Sequence, residues 1–160
     1  MMLRRLLVGA AFVLSLAAGA YLLQETRRVR RANDSIPRAL ERAGVAGPGV
    51  VIVFQPDDCL GEGAIVRRWN ALAAESGLSV RGLVIDGASP EQRTIFRDAG
   101  LRVTLGSIES SDAGGIGARL GYRRTPFAIV LDANGRVVAS FPASQNVPPA
   151  VVRSLLHARG

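Results

Sequence analysis

The sequence contains no lysine, one cysteine, one histidine and one tryptophan, and only 5% of its 160 residues are aromatic. A single cysteine, Cys59, rules out an intramolecular disulfide and any multi-cysteine metal site. The lone histidine, His157, has no His, Cys or carboxylate at ligand spacing, so no metal ligand set and no cofactor is expected. Its place near the end of the last helical pattern fits a surface residue at a helix C-terminus. Twenty arginines with no lysine read as a compositional bias without functional content. There is no internal repeat and no low-complexity tract.

What is present is enough apolar surface for one globular domain: 48% of residues are hydrophobic and 21% charged, which argues against disorder. The net charge of +7 suggests a nucleic-acid binder until it is partitioned. Residues 1–43 hold eight Arg against three acids, and residues 44–160 hold twelve Arg against ten. The excess belongs to the N-terminal segment, so no nucleic-acid partner is expected of the domain.

Residues 6–23 form an uncharged stretch of eighteen, flanked by Arg4-Arg5 and by Arg27-Arg28-Val29-Arg30-Arg31. As a helix it would reach about 27 Å, close to the roughly 30 Å hydrocarbon core of a bilayer. A cleaved secretory signal is the competing reading, since Ala18-Gly19-Ala20 fits a cleavage site, but the apolar run continues past it through Tyr21-Leu22-Leu23. The expectation is therefore a membrane anchor or signal-anchor over 1–23, a basic tether over 24–46 and a folded domain over 47–160. The arginines after the span favour a cytoplasmic domain, whereas the short basic start resembles an exported signal-anchor. The expected location is single-pass in a membrane, with the domain on the periplasmic or extracytoplasmic side. Within the tether, Ser35, Pro37 and Gly44 mark the N-cap, first turn and terminator of a short helix.

From residue 49 the pattern alternates. Gly49-Val50-Val51-Ile52-Val53-Phe54 is too short and too β-branched for a buried helix and reads as an interior strand. Residues 62–76 place Ile65, Trp69, Leu72 and Ala73 on one helical face, with Trp69 in the core. Residues 79–85 form a second strand, and Ser89-Pro90-Glu91-Gln92 carries a capping box at a helix start. A short strand over 101–105 and a glycine-weakened helix over 112–120 follow. Residues 127–131 and 136–141 are strands joined by the turn signal Asp132-Ala133-Asn134-Gly135, and 147–158 is the last helix. Gly114-Gly115-Ile116-Gly117 has the glycine density of a phosphate loop but lacks its Lys-Ser/Thr ending, which argues against nucleotide binding.

Cys59 stands at a strand-to-helix junction, and Thr125-Pro126 enters a distant strand, Phe127-Ala128-Ile129-Val130-Leu131. This pairing, with the Asp-x-x-Gly hairpin, resembles the thioredoxin-like superfamily over about residues 45–160. Within it the chain resembles the thiol-disulfide oxidoreductases of cytochrome c maturation and the peroxiredoxin-type redoxins. The resemblance implies an α/β fold, a thioredoxin-like mixed sheet flanked by helices, here preceded by one N-terminal transmembrane helix. It also implies that Cys59 is the redox cysteine and that Pro126 is a cis-proline lying against it, with Thr125 beside it. Arg123 and Arg124 would be carried toward the sulfur.

Two departures matter. Glu62 occupies the place of the second cysteine of Cys-x-x-Cys, so no resolving thiol exists in the chain. Pro56-Asp57-Asp58-Cys59 lacks the hydroxyl residue of the peroxiredoxin motif, which ranks peroxide reduction below the other readings. A helix N-terminus and the arginines favour thiolate at Cys59, while Asp57, Asp58 and Glu62 oppose it. The expected function is thiol-disulfide exchange with a thiol-containing partner protein or small thiol. The alternatives are an inert cysteine in a non-catalytic module that binds a partner polypeptide beside Pro126, and a peroxidase. Asp57 and Asp58 read either as helix-capping residues or as acid/base groups.

Overall fold

Six consecutive residues without a charge or a side-chain hydrogen-bonding group have no reason to face water on either side. In the computed structural model, which describes residues 35–59, 63–74 and 78–157, they form the central strand β1, Gly49–Phe54, buried throughout. Strand β2 (Val80–Ile85) runs parallel to β1, and β3 (Thr104–Ile108) runs parallel to β2 at one edge. On the other side β4 (Phe127–Leu131) is antiparallel to β1, and β5 (Val137–Pro142) is antiparallel to β4. The order across the sheet is β3-β2-β1-β4-β5.

Alternation along β1 splits the core in two. Val50, Ile52 and Phe54 join Trp69 and Leu72 of α2 (Gly63–Ala74), Phe96 of α3 (Pro90–Asp98) and Val152 of α5 (Pro149–His157). Val51 and Val53 join Ile36 and Leu40 of α1 (Ile36–Arg42) and Ile116 and Leu120 of α4 (Ser110–Leu120). The result is the mixed sheet flanked by helices that the alternating pattern predicts.

Three of the described helices stop in the same way. Gly44, Gly100 and Gly121 adopt φ of 73°, 79° and 77°. The residue after each returns its N–H into the last turn: Val45 to Leu40, Leu101 to Phe96 and Tyr122 to Gly117, at 2.9, 2.9 and 2.7 Å. These are left-handed stops that glycine adopts without steric cost.

Four expectations need correction. The basic tether does not extend to residue 46: Ile36, Ala39, Leu40 and Val45 are buried, so α1 belongs to the domain, which begins before residue 47. Arg42 of α1 also donates to both carboxylate oxygens of Asp112 in α4, at 3.2 and 2.6 Å, and that carboxylate holds its guanidinium pKa above the ordinary value. Ser35 precedes α1 as expected, but its side chain makes no capping bond. Strand β3 starts at Thr104 instead of residue 101, because Leu101 closes the α3 stop and the Arg102 N–H donates to Asn70 Oδ1. Finally, α4 starts at Ser110 rather than residue 112, for a reason that lies just past the end of β2.

That reason is Asp86, which follows β2 with φ 56°. Its carboxylate accepts from the Ser110 backbone N–H at 2.9 Å and from the Ser110 hydroxyl, capping α4 from outside the helix. Those two donations, the hydroxyl first, hold the Asp86 pKa below its ordinary value. A depressed carboxylate pKa stabilises the fold above the unfolded pKa of about 4, and that contribution is lost as pH falls through the lower folded value. Asp86→Asn is therefore expected to lower urea stability at neutral pH, with the gap to wild type closing below about pH 4. A gap that does not change with pH would mean that charge at Asp86 is irrelevant.

The capping box is present in both directions: Ser89 Oγ accepts from Gln92 N–H at 3.1 Å, and the Ser89 N–H donates to Gln92 Oε1 at 2.8 Å. The hairpin turn forms at residues 132–135, where buried Asp132 accepts from the Asn134 and Arg136 N–H groups, both at 2.9 Å. The glycine run 114–117 lies inside α4, so it is not a strand-to-helix phosphate loop. Among the described residues no helix is long and apolar enough to cross a membrane. The expected span, residues 6–23, lies outside them.

Candidate functional site

The carboxyl ends of β1 and β2 and the entry to β4 share one edge of the sheet. Val53 pairs with Phe127, the last pair of the β1–β4 ladder, so Pro126, one residue before Phe127, enters β4 at the end of β1. Ligands of open α/β sheets sit outside this edge. The chain leaves β1 at Gln55 and enters a 3-10 turn, Pro56–Cys59, which ends on Cys59. Asp58 braces that turn: its Oδ2 accepts from the Gln55 N–H at 2.7 Å, and its own N–H donates to Gln55 O at 3.1 Å. Asp58 therefore holds the turn that leads to Cys59. The described part of α2 begins at Gly63, and Glu62 lies outside the described residues.

The peptide bond between Thr125 and Pro126 is cis, as the resemblance implies. Both residues are half-buried, and Pro126 O accepts from the Ala143 N–H at 3.0 Å, which ties the loop to the end of β5. At the loop's other end the Tyr122 ring stacks on Phe127, with centroids 5.1 Å apart and planes 6° apart, and the Tyr122 hydroxyl bonds to Ser140 Oγ at 3.3 Å. Anchored at both ends, the loop leaves Arg123 and Arg124 exposed between them. Neither guanidinium takes part in an ion pair or hydrogen bond among the described residues.

These groups border an open groove of about 790 Å³, whose walls include Gln55, Ser110, Gly114, Tyr122, Arg124 and Thr125. Of the residues expected at a site, Thr125 and Arg124 line this groove and Pro126 adjoins it. Cys59 ends the turn four residues past Gln55 in the chain. Sequence reasoning missed Gln55, Tyr122 and the α4 wall. Tyr122 carries a signal in retrospect, as an aromatic directly after the helix-stopping Gly121, whereas Gln55 and α4 are brought to the loop only by strand register.

No protein-family model and no curated protein matches the sequence. Among solved structures the chain is similar to a secreted Mycobacterium tuberculosis disulfide oxidoreductase homologous to E. coli DsbE. That match has 17% identity and a TM-score of 0.43, covering 70% of this chain and 81% of that one. It is similar to a thiol:disulfide interchange protein from Bacteroides sp. at 14% identity and TM-score 0.48, covering 69% and 73%. A thiol peroxidase from Chromobacterium violaceum gives 14% identity and TM-score 0.49, covering 73% and 75%. Three parallel strands, an antiparallel hairpin on the other side of β1, helices on both faces and a cis X-Pro bond entering β4 make this a thioredoxin-like α/β fold.

Proposed function

We propose that the protein is a membrane-tethered thioredoxin-fold protein whose single cysteine exchanges disulfides with a thiol-containing partner. The observation that carries this reading is the alignment of cis Thr125–Pro126 with the end of β1, the strand whose exit turn ends on Cys59. In the exchange, the Cys59 thiolate attacks one sulfur of a partner disulfide, and the other partner sulfur leaves as thiolate. The resulting mixed disulfide has no internal thiol to resolve it, so an external thiol must attack it and leave Cys59 reduced. Alkylation of the native full-length protein across pH tests the first step. Cys59 is expected to react in the folded state, with Cys59→Ser as the blank. Reaction only after unfolding would favour the second reading, a module that binds a partner polypeptide without chemistry.

Tethering belongs to the proposal. It is supported by the uncharged stretch 6–23, long enough to span a bilayer as a helix. The domain is proposed to face the periplasmic or extracytoplasmic side. The intact mass of membrane-extracted protein is expected to include residues 1–20. A freely soluble product starting at Tyr21 would remove the anchor.

A further inference from the structure

We propose that the groove beside Thr125 receives an acidic, extended segment of the partner polypeptide, whose carboxylates pair with Arg123 and Arg124. The identity of that partner as a disulfide substrate rests on the thiol-exchange reading; the charge preference does not.

Charge complementarity is the first argument. Among the described residues the groove is lined by two arginines and by no carboxylate. Near the start of α4, Asp86 is engaged by Ser110 and Asp112 by Arg42, and the N-cap Glu109 is not among the groove's lining residues. Nothing described inside the domain neutralises Arg123 or Arg124, and a guanidinium fork suits the two oxygens of a carboxylate.

The wall opposite the arginines supplies the second argument. Helix α4 presents to the groove only Ser110, Ala113, Gly114, Gly117, Ala118 and the following Gly121. Gly117 has an internal reason to be glycine, since an added Cβ would lie 3.1 Å from Tyr122 O. Gly114 has none: an added Cβ would meet nothing within 4 Å, and its backbone is not left-handed. Glycine inside a helix is unfavourable relative to alanine, so Gly114 weakens α4 without serving the packing of the domain. It keeps the wall low enough for a second backbone to lie along it. The open trough, within the roughly 300–1,000 Å³ range of ligand sites, suits an extended chain better than an enclosed small molecule.

The test uses the full-length protein in detergent micelles and a short fluorescein-labelled, cysteine-free peptide of alternating Glu and Gly, beside its Gln counterpart. Fluorescence anisotropy is expected to show the acidic peptide binding at least about tenfold tighter, a preference that shrinks at molar salt. Arg123→Gln combined with Arg124→Gln should abolish the preference. Gly114→Leu, at a position with open space, should weaken both peptides while circular dichroism stays native. Equal binding of the two peptides, an undiminished preference in the double variant, or binding indifferent to Gly114→Leu would overturn the proposal. Cys59→Ser separates the two readings. If the acidic preference survives in it while wild-type Cys59 forms no adduct, exchange fails and the groove stands. If Cys59 is trapped but the peptides bind alike, the groove proposal fails alone.

Discussion

Glu62→Cys is expected to turn a protein that stalls after one mixed disulfide into a catalyst of repeated turnover. The wild-type adduct at Cys59 can leave only by attack of a thiol from solution, because the chain holds no second cysteine. A cysteine at position 62 restores the Cys-x-x-Cys spacing and makes that attack intramolecular. Short linkage gives effective concentrations on the order of millimolar, so against micromolar external thiol the release step should accelerate by roughly a hundredfold or more. Insulin reduction with a limiting external thiol reads the difference as turnovers per protein. Removing a carboxylate three residues from the cysteine in the chain would also favour thiolate, so Glu62→Gln is needed as the control. It should raise the alkylation rate of Cys59 without producing turnover. Equal turnover in the Cys and Gln variants would mean that position 62 does not reach the sulfur.

Trp69→Ala is expected to produce the largest loss of stability of any single truncation in the domain. Trp69 is 1% exposed, packs on Phe54 with ring centroids 5.0 Å apart, and donates its Nε1–H to Ala143 O at 3.3 Å. The substitution removes the ring contact, opens a cavity between α2 and the sheet, and leaves the buried Ala143 carbonyl without that donor. Truncations of this kind cost about 3–5 kcal/mol, a large part of a total stability of about 5–15 kcal/mol. The loop bearing Ala143 also supplies the N–H that holds Pro126 O, so the damage should reach the candidate site. Urea unfolding followed by circular dichroism measures the loss, and Trp69→Phe should recover part of it by refilling the space. A loss below about 1 kcal/mol would show that Trp69 is not the packing centre of that face.

Several elements were legible because their signals are local. An apolar run of only six residues, rich in β-branched side chains, reads as an interior strand, and β1 is buried at all six positions. The Ser89–Gln92 capping box and the Asp132–Gly135 turn involve groups within a few residues of each other, so the string of residues states them outright. The errors arose where a segment takes its structure from a distant partner. Helix α1 is short and bears Arg38 and Arg42, so composition makes it look like part of the tether. Yet Ile36, Ala39 and Leu40 recur at helical spacing, and the sheet face beneath buries them. Asp86 gives no sign of capping a helix that starts twenty-four residues later, because β3 must first bring Ser110 beside it.

The amino-acid sequence alone determined the covalent chemistry: one thiol, no resolving partner, and a net positive charge concentrated before residue 44. No folding can supply a missing sulfur. It also determined the order of strands and helices, since burial periodicity and capping act over a turn or a strand pair. The tertiary structure decided what stands beside what. The register Val53–Phe127 brought the cis-proline to the end of β1, the 3-10 turn gave Asp58 its bracing role, and the loop between Tyr122 and Pro126 left two arginines exposed beside a groove walled by glycines of α4. Those juxtapositions join residues tens of positions apart, and they exist only once the two faces of the sheet are buried.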